Sequence, residues 1–261
     1  MKICSILINY VYVIKGDNNK LISKNGIIDK TKKMIKYPKQ KNKGVESIMR
    51  NDIAVCVQND MKYNLILTSN GFNNTSYRSQ KIEKLFKDIA KDKKILLILN
   101  ATKEGSNYNS REDVKNNFIN IGAKTVDSIE VNKENVKKIL EYDVVYAIGG
   151  DVACLLDDMH DSNFKKYLLI FLKKGIFIGE SAGSIVLGEN VKWYFDINRG
   201  TKPKYDKILK SWEGMNLTNY NVFPHINAKP HMIEKITTYE KEHNMKITQL
   251  EDGDFILVYI N

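Results

Sequence analysis

Cysteine, proline and arginine are all scarce in this chain of 261 residues. The three cysteines, Cys4, Cys56 and Cys154, are scattered too widely for a paired framework or a CxxC site, which fits a reducing, cytoplasmic setting. Only 4 prolines and 15 glycines stand beside 43% apolar and 28% charged residues, which excludes disordered, collagen-like and low-complexity chains. Long apolar runs are missing too. The longest, from Ile3 to Ile14, is interrupted by Asn9 and falls short of the ~20 residues that span a bilayer, so no membrane helix is expected. It also lacks a small-residue cleavage site, and a secretory signal is not expected. Arginine accounts for four of the 41 basic residues (Arg50, Arg78, Arg111, Arg199), although phosphate and base readout favour the bidentate guanidinium. The formal charge of +10 is uneven: residues 1–60 carry twelve Lys/Arg against five Asp/Glu, and the remainder is nearly balanced. Nucleic-acid binding is therefore not expected of the main body, and a basic tether to nucleic acid or an anionic surface would be confined to the first 60 residues.

What the chain does have is a change of character near Met61. Before it lie the Ile3–Ile14 run, a turn signal at Gly16-Asp17-Asn18, the short segment Leu21-Ile22-Ser23, and a lysine run from Lys30 to Lys43 holding Pro38. These suggest a two-stranded hairpin and a solvated linker, and Met61 reads as an alternative start for the globular part. From Met61 onward, apolar runs of strand length (63–67, 94–99, 125–129, 144–148, 176–179) alternate with helical patterns. One such pattern sets Ile82, Leu85, Phe86 and Ile89 on one face. Ser110 with Asp113 opens a helix ended by Gly122, Asn132 caps another, and further helices start at Val152 and Phe164. This is the signature of βαβ units: an α/β three-layer sandwich on a mostly parallel sheet, with sites along one rim of strand ends.

The sharpest motif is Gly179-Glu180-Ser181-Ala182-Gly183, a G-x-S-x-G between a predicted strand and helix. A serine on so sharp a turn needs strained backbone and close packing, which flanking glycines permit, and the next helix offers N-terminal amides to an oxyanion. The serine hydroxyl needs a neutral imidazole as base. His225 follows the apolar segment Tyr220 to Phe223 and Pro224, where a strand ends at the rim; His231 and His243 read as solvated helix residues, and His160 as a helix end. Asp196, fifteen residues after Ser181 and flanked by aromatics, is the first choice for the carboxylate that orients the imidazole. Asp206 and Glu213 are weaker alternatives, and Glu180 is expected to be directed away by the turn.

Gly149-Gly150-Asp151 through Leu156, Ile178 through Ser184, and Phe223-Pro224-His225, in this order, resemble the peptidase E (aspartyl dipeptidase) and cyanophycinase family of serine peptidases. Leu67 to Gly71 is similar to that family's opening strand and loop, and Leu250 to Val258 to its late hairpin; the likeness covers about residues 61–261. The resemblance implies a fold like class I glutamine amidotransferases (flavodoxin-like), with a nucleophile elbow. It makes Ser181 the nucleophile, His225 the base and Asp196 the acid, with the amides of Gly150 and Ala182 as the oxyanion hole. It also implies a dipeptidase acting on short peptides, including those with N-terminal Asp, without cofactor or metal. Two departures stand out: Asp151 occupies a position where the family has Asn, and no Arg follows His225, leaving Lys229 or Lys235 as substitute charges. These motivate an alternative, a catalytically silent module binding a small ligand on the same fold. A monomer or homodimer with a small peptide substrate is the expected working form.

Overall fold

A computed structural model of the chain describes residues 11–14, 21–23 and 26–28 as backbone, and residues 63–72, 80–102, 108–198 and 209–260. In chain order the strands are β1 (Val11–Ile14), β2 (Leu21–Ser23), β3 (Gly26–Ile28), β4 (Leu65–Thr68), β5 (Lys94–Ile98), β6 (Thr125–Ile129), β7 (Val144–Ala147), β8 (Ile176–Glu180), β9 (Asn221–Phe223), β10 (Ile247–Gln249) and β11 (Phe255–Val258). The helices are α1 (Gln80–Ala90), α2 (Tyr108–Asn120), α3 (Val152–Asp161), α4 (Phe164–Phe171), α5 (Ala182–Ile185), α6 (Lys192–Ile197) and α7 (Met232–His243).

The central sheet runs β11-β4-β8-β7-β5-β6, with β4, β8, β7, β5 and β6 mutually parallel and β11 antiparallel to β4. Every residue of β4 and β7 is buried, as the unbroken apolar runs require of strands covered on both faces. One face is covered by α1 and α2, whose Phe86 and Phe118 pack with Phe72 and Tyr146 into an aromatic cluster with ring centroids 4.6–6.2 Å apart. The other face carries the larger core, built on α3, α4, α5, α6 and α7. The fold is therefore α/β in three layers. All five strands read from the main body are present within a residue or two of their expected ends.

Three details differ from expectation. Asn132 does not cap the helix after β6 directly: its Oδ1 accepts the amides of Glu134 and Asn135 in a preceding turn, and a short 3-10 helix follows over Val136–Glu141. The Leu250 to Val258 segment is not a hairpin. Here β10 pairs in parallel with β9, and the chain then crosses into the central sheet as β11. Finally, the backbone of β1 joins the central sheet, antiparallel to β11, and β2 pairs antiparallel with β3. The lysine run and Cys4 and Cys56 lie outside the described residues.

Candidate active site

The elbow is built where β8 ends between β4 and β7. Ser181 follows Glu180 at φ +49° and ψ −104°, a backbone state that a residue with a Cβ adopts only under constraint. Several bonds supply that constraint. The Ser181 amide donates to the Thr68 carbonyl at 3.1 Å, and the Thr68 hydroxyl donates to the Gly179 carbonyl at 2.9 Å. From α5, the fully buried Ser184 hydroxyl accepts the Thr68 amide at 2.9 Å and lies 2.7 Å from the Gly179 carbonyl, to which it donates. Both motif glycines are there for contact distance. A Cβ on Gly179 would lie 2.5 Å from the Gly183 carbonyl oxygen, and one on Gly183 would lie 2.7 Å from that of Ala147. Because both obstacles are backbone, neither can move aside. Gly179→Ala is expected to destabilise the fold by about 1–3 kcal/mol, read as a lowered midpoint in denaturant unfolding.

His225 reaches the same rim from the far side. It follows β9 and Pro224, and its own backbone turns through φ +60°. Its Nε2 lies 3.0 Å from Ser181 Oγ, and its Nδ1 lies 2.6 Å from Asp252 Oδ1. A carboxylate can only accept, so Nδ1 carries the proton and donates to Asp252. In the neutral ring Nε2 is then the acceptor for the serine hydroxyl. The carboxylate facing the imidazole is thus Asp252, and the expectation for Asp196 is corrected. Asp196 sits on α6, where its Oδ2 accepts from Lys192 Nζ at 2.6 Å and from the Tyr239 hydroxyl at 3.1 Å, in a groove against α7. Its aromatic neighbours in sequence shield other things: Trp193 is buried in the core and Tyr194 packs on Phe223. Of the alternatives, Glu213 is exposed with its carbonyl taken by His160 Nε2 at 2.7 Å, and Asp206 lies outside the described residues. Glu180 is directed away as expected. Its buried carboxylate accepts from the Tyr146 hydroxyl, whose proton is held by burial and by that negative charge.

Asp252 is placed by the crossover into β11. Burial alone would push its carboxyl up, but hydrogen bonds from His225 and Ser69, with the charges of His225 and Lys229, outweigh it and hold it below its ordinary value. Lys229 is half-buried, and its ammonium is depressed by burial and partly restored by Asp252. Lys235 instead lines the exposed α6–α7 groove with Asp196. His231, just before α7, and His243, at its end, are exposed, the latter stacked on Tyr239.

Ala182 directly follows the serine, and Gly150 lies one residue beyond the Gly149 that touches it. Gly150 sits at φ +150°, and a Cβ there would fall 2.2 Å from the Ala101 carbonyl oxygen. Its neighbour Gly149 lies against the elbow, where an added Cβ would be 3.0 Å from Ser181 Cβ. Ala182 is the first residue of α5, so its amide has no intrahelical acceptor. Asp151 has a structural duty: its Oδ1 caps α3 by accepting the Cys154 amide at 2.7 Å, a role Asn fills as well. Among the described residues, no group of three His, Cys, Asp or Glu side chains is arranged to hold a metal ion, and no helix is long and apolar enough to cross a membrane.

Comparison with known proteins adds to this geometry. A candidate peptidase E protein from Listeria monocytogenes EGD-e superposes with a TM-score of 0.61 at 20% identity, over 76% of this chain and 95% of its own. A peptidase from an acI-B1 Actinobacterium superposes with a TM-score of 0.54 at 16% identity, over 74% and 83% respectively. At such identities the solved structures establish the fold. No curated protein matches the chain. The model of peptidase family S51 matches residues 65–259. Because that match runs through every strand from β4 to β11 and through both loops that meet at Ser181, the chain belongs to peptidase family S51, whose members are serine peptidases.

Proposed function

We propose that the protein is a serine dipeptidase hydrolysing short peptides through an acyl-enzyme, with Ser181 as nucleophile, His225 as base and Asp252 as the orienting acid. One observation carries the reading: a partly buried serine on a strained backbone, its hydroxyl 3.0 Å from an imidazole whose other nitrogen is 2.6 Å from a carboxylate. In this reading His225 Nε2 takes the hydroxyl proton as Ser181 Oγ attacks the scissile carbonyl, and Asp252 stabilises the imidazolium. The amides of Gly150 and Ala182 receive the developing oxyanion. The imidazolium then protonates the leaving amine, and water enters on the same base to release the acyl group. Lys229, half-buried beside Asp252, is the counter-charge we assign to a substrate carboxylate such as the side chain of an N-terminal Asp. Lys235 has no part in it.

A fluorophosphonate tests the central claim, because it reacts only with an activated serine. Mass mapping is expected to find one adduct, on Ser181, with turnover of an Asp-X dipeptide panel lost in proportion to labelling. An unlabelled Ser181 would instead support the silent binding module.

A further inference from the structure

The three groups of the site come from three separate places: the end of β8, the loop after β9, and the loop before β11. Strand β4 lies between β8 and β11, parallel to one and antiparallel to the other, and its C-terminal end points at the same rim. The residue that follows β4 is Ser69, fully buried. Its Oγ donates to Asp252 Oδ1 at 2.7 Å and accepts the main-chain amide of His225 at 2.8 Å. One hydroxyl therefore holds the acid by its side chain and the base by its backbone, and it is anchored to the strand that also fixes the Ser181 amide.

We propose that Ser69 is a positioning residue for the reaction, setting the His225 main chain and the Asp252 carboxylate as one hydrogen-bonded unit against Ser181. The proposal rests on the triad reading above. Its surroundings fit the role. His225 sits at φ +60°, a state of few per cent occurrence outside glycine, and needs an external acceptor to hold its amide there. The Asp252 loop is pinned to β4 again one residue on, where Asn70 Oδ1 accepts the Gly253 amide at 2.9 Å, and Asn227 Oδ1 accepts the Asp252 amide at 3.1 Å. Asp252 Oδ1 takes donors from both Ser69 and His225, so the hydroxyl shares the very oxygen that faces the imidazole. The other charged group acting on Asp252 is Lys229.

Two consequences follow for a chain lacking the hydroxyl. The ring loses its backbone anchor, which slows proton transfer from Ser181. The Asp252 carboxylate also loses a donor and becomes more basic, so it holds the imidazolium more strongly and the acid limb of the pH–rate profile moves to higher pH. A loss of folded protein alone would lower the plateau and leave that limb where it is. The test measures the rate of fluorophosphonate acylation at Ser181 across pH in the full chain, for wild type, Ser69→Ala, Ser69→Thr and Asp252→Asn. Ser69→Ala is expected to label about 10- to 100-fold more slowly at the plateau, the range for a hydrogen bond to a charged group, with its acid limb raised. Ser69→Thr, which keeps the hydroxyl, is expected to recover both. Should Ser69→Ala not fold, Ser69→Cys, a weak donor of similar size, carries the comparison. A wild-type rate, or a slower plateau with an unmoved limb, in the variant lacking the hydroxyl overturns the role of Ser69. An Asp252→Asn variant that labels like wild type overturns the triad reading itself.

Discussion

Ser181→Ala is expected to lower kcat for any peptide the enzyme hydrolyses by about 10⁴- to 10⁶-fold while leaving the melting temperature unchanged. The two halves of this expectation have separate causes. The hydroxyl is the atom that would attack, and its one described side-chain partner is His225 Nε2, so no neighbouring oxygen stands ready to replace it. The residual rate over water, from amides and substrate binding, would remain. Stability is unaffected because Ala at φ +49° carries the same backbone strain as Ser. Ser181→Gly separates the effects further: it is equally inactive but relieves the strain, and is expected to be about 1 kcal/mol more stable in denaturant unfolding. Peptide hydrolysis surviving either change at even a hundredth of the wild-type rate would assign the nucleophile elsewhere.

Asp252→Asn is the second large effect, at about 10⁴-fold in kcat. Replacing one carboxylate oxygen by an amide NH2 presents a donor to Nδ1. The imidazole then keeps its proton on Nε2, where it cannot accept from Ser181. The geometry of the site would be preserved and the tautomer would be wrong. Asp196→Asn is the matched control. Asp196 is linked to an exposed Lys192 one turn earlier on α6 and to Tyr239, contacts of the kind worth a few tenths of a kcal/mol, so the kcat of this variant is expected to stay within about threefold of wild type. Reversal of the two results would return the acid to α6.

The contrast between these two aspartates shows what the sequence carried. The strands were legible because buried parallel strands are continuous apolar runs, and β4, β5, β7 and β8 have no other way to be covered. The elbow was legible for a local reason as well: Gly179, Ser181 and Gly183 are close enough in the chain for their spacing to dictate the turn. His225 could be singled out because Pro224 ends an apolar strand just before it. The acid could not. Leu250-Glu251-Asp252-Gly253-Asp254 offers three carboxylates in five residues, and which of them meets the imidazole depends on β10 lying beside β9 and the chain then crossing to β4. Ser69 gave still less signal, since a serine after a strand is ordinary until the loops at both its sides are known.

The sequence alone therefore determined the α/β layering, the serine turn and the histidine, each set by periodicity or by neighbours within a few residues. Tertiary structure decided the identity of the carboxylate and the part played by Ser69. Hydrogen bonds across 27 residues to His225 and 183 to Ser69 are made by the order of strands in a sheet, and no local pattern encodes that order.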